Sequence, residues 1–329
     1  MLDFALATEL EASVPPERRG LARDGVRMLV TPRSGGASAD AHFRDLARTL
    51  RRGDLIIVND SLAAAATATR SDESSLLIHF STRIAERLWI VEPRGRVVPG
   101  EAVTLQPCGK LRFLAPLDEA VPRLWYAAVD ANGGVAAWLD RFGSPIRYRY
   151  VAEEYPLADY QTIFAREAGS AEMPSASRPF TPRIVRELDA AGVGIASVTL
   201  HAGVSSLERQ ERPIAERYVV SSSTAATVNA TRRAGRRIVA AGTTVVRALE
   251  TAASDAAVTA SNGWTELIVT AEHRLRAVDA LLTGFHEPQA SHLDMLAAFL
   301  APQALREAYA HALNAGYLWH EFGDVNLIV

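Results

Sequence analysis

The strongest constraint on this chain is a unit that repeats in its second half: a helix start, a glycine stop, then a short apolar run. Thr181-Pro182 opens the first such unit. The threonine hydroxyl can accept a free backbone N–H, and proline at the first helical position forfeits no hydrogen bond. Gly192 and Gly194 close that helix, and Ile195 to Leu200 is the strand that follows. The unit recurs as a helix from about Ser222, a stop at Gly235, a strand over Ile238–Ala241 and a helix from Thr243. Strands alternating with helices predict an α/β fold with a largely parallel sheet covered on both faces. Helices near His292–Leu300 and Gln303–Asn314 precede a final short strand.

The first residues read strand, helix, strand: Val26 to Val30 is apolar, Ala39 to Leu50 has helical spacing, and Asp54 to Val58 runs into Asn59-Asp60. From about Ser61 to Asp130 the pattern changes. Short runs at Leu76–Phe80, Leu88–Val91, Ala102–Leu105, Leu111–Leu114 and Leu124–Val129 have the spacing of an antiparallel barrel or sandwich. The chain therefore divides into an α/β core, residues 1–61 and 132–329, and an inserted antiparallel β-barrel, residues 62–131.

Composition removes several functions. Lys110 is the only lysine, so no phosphate loop ending in Gly-Lys can be written, and only one Schiff-base lysine is available. Cys108 is the only cysteine, which excludes an internal disulfide and a paired-thiolate zinc site. With 35 basic and 38 acidic residues the net charge is −3, which does not indicate a strongly basic nucleic-acid module, although a local positive patch would still serve RNA. The N-terminus shows no basic region followed by an apolar stretch, and no run of 18 apolar residues occurs, so a cytoplasmic protein without a membrane span is expected.

Parallel sheets bind ligands at the carboxyl ends of their strands, where loops meet helix N-termini. Gly242-Thr243-Thr244 follows the strand Ile238–Ala241 in that arrangement, with Arg247 one turn later. Unpaired N–H groups and two hydroxyls there suit a carboxylate or phosphate; the bland alternative is a capped helix with an exposed arginine. His201 ends a strand and His286 follows one, while Asp60, Asp279 and Asp324 are acidic candidates at strand ends whose plainer duty is a turn or cap. His286 and His292 lie six apart, a spacing that places them on different faces of a helix, and no metal cluster is expected.

Gly242-Thr243-Thr244-Val245-Val246-Arg247-Ala248-Leu249-Glu250 and Val278-Asp279-Ala280-Leu281-Leu282-Thr283 carry a resemblance. So do Arg23-Asp24, Gly53-Asp54-Leu55, Asn59-Asp60, Tyr160-Gln161-Thr162-Ile163-Phe164-Ala165, Phe285-His286 and Gly323-Asp324. In order and spacing these strings resemble the S-adenosylmethionine:tRNA ribosyltransferase-isomerases over nearly the whole chain. The resemblance implies an α/β/α sandwich interrupted by a β-barrel. It also implies S-adenosylmethionine as a substrate whose ribosyl part, not its methyl, goes to 7-aminomethyl-7-deazaguanine of tRNA and rearranges to give epoxyqueuosine. Adenine and methionine leave. The sulfonium acidifies the adjacent C5′ protons, and adenine departs as an anion unless an acid or a strong N–H donor serves it.

Within that resemblance, Gly242, Thr243, Thr244 and Arg247 are expected to hold the carboxylate or ribose of S-adenosylmethionine. His201 is the proton-transfer candidate, joined by Asp279 and His286 from retained strings. Tyr160, Gln161, Phe180, Thr181 and Asp324 are expected on the acceptor side. No metal is implied, and a monomer is expected. The chain departs from the family pattern in several places. Ser177-Arg178-Pro179 stands where the family has Gly-Leu-His, and Ser61 to Thr67 lacks two arginines. Val204-Ser205-Ser206-Leu207 stands for Leu-Gly-Thr-Phe, and Glu211-Arg212-Pro213-Ile214 lacks two histidines. A divergent paralogue acting on a small-molecule acceptor, or a non-catalytic binding protein of the same fold, is the alternative.

Overall fold

The computed structural model describes residues 2–63, 67–69, 76–119, 123–204 and 214–329. In chain order its strands are β1 (Arg27–Thr31), β2 (Ala39–His42), β3 (Leu55–Asn59), β4 (Ser61–Ala63), β5 (Thr67–Thr69) and β6 (Leu77–Arg83). Next come β7 (Leu88–Pro93), β8 (Ala102–Leu105), β9 (Gly109–Pro116), β10 (Trp125–Ala131), β11 (Glu167–Ser170) and β12 (Gly194–Leu200). The last are β13 (Glu216–Val220), β14 (Ile238–Ala241), β15 (Ser261–Thr265), β16 (Ala280–Gly284) and β17 (Val325–Ile328). The helices are α1 (Leu46–Thr49), α2 (Val135–Phe142), α3 (Pro182–Ala191), α4 (Ser222–Arg233), α5 (Thr243–Ala252), α6 (Ser291–Leu296) and α7 (Pro302–Asn314).

Nine strands form one sheet in the order β15-β13-β12-β3-β14-β16-β17-β1-β2. The neighbours β12, β3, β14 and β16 run parallel, as the strand–helix alternation requires. The sheet as a whole is mixed, not largely parallel: β17 returns antiparallel to β16, and β13 and β15 extend the other edge in antiparallel fashion. Beyond the four central strands β17 also pairs with β1 in parallel, while β2 closes that edge antiparallel to β1.

Side chains of the central strands alternate between two cores, because successive residues of a strand point to opposite faces. Leu55, Ile57, Ile238, Ala240 and Leu281 pack with α4, α5 and α7 on one face. Ile56, Val58, Val239, Ala241 and Leu282 pack with Phe43, Phe180 and α3 on the other. The helix starts are capped as their residues dictate: Thr181 Oγ1 accepts from Ile184 N at 3.3 Å, and Ser221 Oγ accepts from Thr224 N at 3.1 Å. The expected helix over Ala39–Leu50 is corrected. Ala39–His42 is an edge strand on β1, followed by a 3₁₀ turn and the four-residue α1. Pairing to β1 satisfies that backbone, a tertiary gain invisible to local periodicity.

The segment between β4 and α2 is antiparallel, in the order β5-β6-β7-β10-β9-β8. Its core joins Phe80, Trp89, Phe113 and Trp125 to Trp138 and Leu139 of α2. Among the described residues no pairing of β5 with β8 closes a barrel. This six-stranded sheet meets the loop after β12 through Ser81 of β6, whose Oγ accepts from Val204 N at 2.9 Å.

Candidate functional site

A cleft of about 200 Å³ opens at the carboxyl ends of β12, β14 and β16. Gly242, Thr243, Thr244 and Arg247 line one wall, as the strand–Gly–Thr–helix pattern anticipates. Gly242 has φ of 106°, a backbone closed to ordinary side chains, and its N–H donates to Leu282 O at 2.8 Å. No side chain caps α5, so the positive end of that helix faces the cleft. Asn59 fixes this corner from within the sheet. It is fully buried, its Nδ2 donates to Leu200 O at 2.8 Å and Thr244 Oγ1 at 3.2 Å, and its Oδ1 accepts from Leu200 N.

Arg247 does not extend freely into the mouth. Its NH1 pairs with Glu216 Oε2, and its Nε and NH2 donate to the carbonyls of Leu267 at 3.0 Å and Thr265 at 3.2 Å. Burial pushes the Glu216 carboxyl up, while Arg247 and the N–H of Gly203 pull it down. The adjoining Glu250 has a structural duty. Its carboxylate accepts from the backbone N–H groups of Arg276, Ala277 and Val278, which fastens the entry to β16.

The opposite wall holds a pair of histidines. His286 and His292 stack with centroids 4.6 Å apart and planes 6° apart, which corrects the inference from their spacing. Only His292 is on a helix; His286 sits in the loop after β16, so helical geometry never applied to the pair. His286 Nε2 meets Thr283 Oγ1 at 2.9 Å, and its carbonyl accepts from Trp319 Nε1 at 2.9 Å. Burial and mutual repulsion hold His286 well below the usual imidazole range; burial, with Arg247 and His320 nearby, takes His292 down to about 4. Both rings are neutral at pH 7.

A third wall comes from Tyr148, Glu172, His320 and Glu321. Sequence reading missed all four, together with His292 as a cleft residue. The signal nearest to hand was Gly323-Asp324, which flags a tight turn just after His320-Glu321.

The remaining candidates are not brought to the cleft. Asp279 is exposed at the other end of the sheet, where its Oδ2 accepts from Ile238 N at 2.8 Å. It precedes β16, and a residue before a strand lies a full strand length from the ligand end. His201 turns away from the neighbouring Ala202 and Gly203: its Nδ1 meets Ser61 Oγ at 2.8 Å and its ring packs on Gly169. Burial and Arg217 lower its pKa. Tyr160 packs on Phe322, and Gln161 bridges Ala63 through both its backbone groups, accepting at 3.2 Å and donating at 2.6 Å. Phe180 is core, edge-on to Phe43 and Phe164. Thr181 caps α3 and donates to Asp24 at 2.7 Å. Asp324 is buried and accepts from Arg27 N at 2.7 Å and Leu318 N at 2.8 Å.

Of the divergent segments, Ser175 and Ala176 line the cleft, whereas Arg178 is buried behind it against Glu17 and Asp159. Ser205 to Pro213 and Ala64 to Ala66 lie outside the described residues. Among the described residues no helix is long and apolar enough to cross a membrane, and no group of three or more potential ligands could hold a metal ion.

The comparisons agree with the strings that carry the resemblance. A family model described as queuosine biosynthesis protein matches residues 1–328. The S-adenosylmethionine:tRNA ribosyltransferase-isomerase of Moorella thermoacetica is 37% identical, with 93% of this chain and 94% of that protein covered. The enzyme of the same name from Acidiphilium cryptum is 36% identical over 99% and 97%. The solved S-adenosylmethionine tRNA ribosyltransferase of Thermotoga maritima superposes with a TM-score of 0.58 and 27% identity, covering 99% of both chains. Agreement along the full length, in sequence and in fold, settles the kinship: the chain belongs to the queuosine biosynthesis protein family.

Proposed function

We propose that this chain transfers and rearranges the ribosyl part of S-adenosylmethionine onto 7-aminomethyl-7-deazaguanine of tRNA, releasing adenine and methionine. The observation that carries this reading is the identity of 37% over 93% of the chain to an enzyme named for that reaction. The cleft suits the donor. The uncapped start of α5, with the hydroxyls of Thr243 and Thr244, receives the carboxylate of S-adenosylmethionine. Arg247, tied to Glu216, stiffens that corner and keeps its charge balanced. The neutral His286–His292 stack puts no positive charge on the wall that meets the sulfonium, and His286 remains the candidate to accept a proton there.

In this reading residues 62–131 act as a separate folding unit, tied to the cleft residue Val204 through Ser81. The protein acts as a monomer in the cytoplasm. Incubation with S-adenosylmethionine and tRNA carrying the aminomethyl base tests the proposal by the adenine and methionine released. No adenine under those conditions refutes it. Adenine released without tRNA, by a small amine acceptor, would instead establish the small-molecule alternative, which the full-length kinship does not favour.

A further inference from the structure

The turn after Trp319 holds its shape against its own preferences. His320 has φ of 72°, in the left-handed region that a β-carbon disfavours. Gly323 has no room for a side chain, because an added Cβ would collide with the backbone of Leu318 and Trp319. Asp324 clamps the turn by accepting from Leu318 N, Gly323 N donates to His320 O at 2.9 Å, and Trp319 is tied to His286 O. What this backbone presents to the cleft is the pair His320 and Glu321.

The two side chains meet a flat, desolvated wall. The rings of Tyr148 and His320 both line the cleft, with centroids 5.9 Å apart and planes 21° apart, and Tyr150 backs His320 at 4.9 Å. Beside them Glu321 Oε2 is buried and has no hydrogen-bond partner among the described residues. A buried polar atom left unsatisfied costs about 1–3 kcal/mol, so its presence in a cleft points to a ligand that satisfies it.

We propose that Glu321 holds and protonates the purine of S-adenosylmethionine, and that Tyr148 and His320 form the surface against which the base lies. This deepens the reading above and rests on it. Burial and the neighbouring Glu172 push the Glu321 carboxyl up to about 8, with Arg178 pulling against them. The other groups facing it are Tyr150, Tyr160 and His320, the last beside Glu287. At neutral pH Glu321 is therefore a neutral acid, offering one O–H donor and one carbonyl acceptor. Adenine presents the complementary pair on its N7 and 6-amino edge. As the C1′–N9 bond breaks, its electron pair passes to the purine, a lone pair of the ring oxygen forms the C1′=O4′ bond that replaces it, and the Glu321 proton moves to N7. Neutral adenine leaves and Glu321 remains as a carboxylate. That carboxylate is restored by the proton that the acceptor amine sheds on forming its new C–N bond.

Free adenine is the probe, titrated calorimetrically into the full chain. Wild type should bind adenine, with an affinity that falls as pH rises through about 8. Glu321→Gln keeps a donor and an acceptor, so it should bind adenine within about threefold of wild type and without that pH dependence. Glu321→Ala should bind about tenfold or more weakly, the loss of one buried hydrogen-bonding partner. In turnover, Glu321→Gln should lower kcat by about 10²–10⁴-fold with little change in KM for S-adenosylmethionine, and the alkaline limb of the kcat profile should vanish. A wild type that does not bind adenine, or equal binding by wild type and Glu321→Ala, overturns the proposal. So does undiminished turnover in Glu321→Gln. Glu321-dependent adenine binding in a protein that never turns over supports the subsite while refuting the ribosyl-transfer reading, so the two failures are distinguishable.

Discussion

The rings of His286 and His292 lie face to face, 4.6 Å between centroids, and burial keeps both of them neutral. An imidazole whose folded pKa is depressed favours unfolding in acid: the unfolded chain takes up the proton first, near 6.5, and the folded protein resists until about 4. Stability contributed by the neutral stack is therefore full above pH 6.5 and lost progressively as pH falls toward 4. His292→Phe keeps a stacking ring without the titration, so its melting temperature should fall less than that of wild type between pH 7 and pH 4. Parallel melting curves would show the stack to be irrelevant to acid sensitivity.

The Arg247–Glu216 pair should break asymmetrically. A guanidinium cannot shed its proton, whereas a buried carboxyl with a raised pKa can simply take one. Glu216→Gln at pH 7 is expected to cost about 3–5 kcal/mol, the penalty of stranding a buried charge. Arg247→Met should cost less, and its deficit relative to wild type should shrink as pH falls and Glu216 becomes neutral. Chemical denaturation of both variants at pH 5 and pH 8 checks this. Equal costs at both pH values would contradict it.

Thr243 makes a ground-state contact in the proposed site, so Thr243→Ala should raise KM for S-adenosylmethionine about three- to tenfold, the worth of one hydrogen bond, with kcat within about twofold. Steady-state adenine release measures both. A selective loss of kcat would move Thr243 from binding to the chemical step.

Asp279 and His201 should behave as structural residues. Asp279→Ala removes the acceptor that serves Ile238 N at the exposed end of the sheet and should cost about 1 kcal/mol of stability, leaving kcat unchanged. His201→Gln loosens the contact with Ser61 and Gly169 and is expected to lower turnover less than about tenfold, below the 10²–10⁴-fold typical of a proton-transfer group. A larger loss with unaltered melting temperature would return His201 to the mechanism.

What the sequence determined was local. Ile238–Ala241, the stop at Gly235, the cap at Thr181 and the helix start near Ser222 were legible because strand period, helix period and capping depend on residues within a few positions of one another. The cleft wall at Gly242-Thr243-Thr244 followed for the same reason, since one strand end and one helix start create it. Tertiary structure decided which distant groups share that cleft. Arg247 meets Glu216 across the sheet, and His286 meets His292 despite a spacing that argued otherwise. Glu321 joins Tyr148 and Glu172 from the far end of the chain, while Asp279, in a retained string, faces the other way. It also decided their charge states. The depressed histidines and the raised Glu321 owe their shifts first to burial, and burial belongs to the packed molecule, not to any stretch of its sequence.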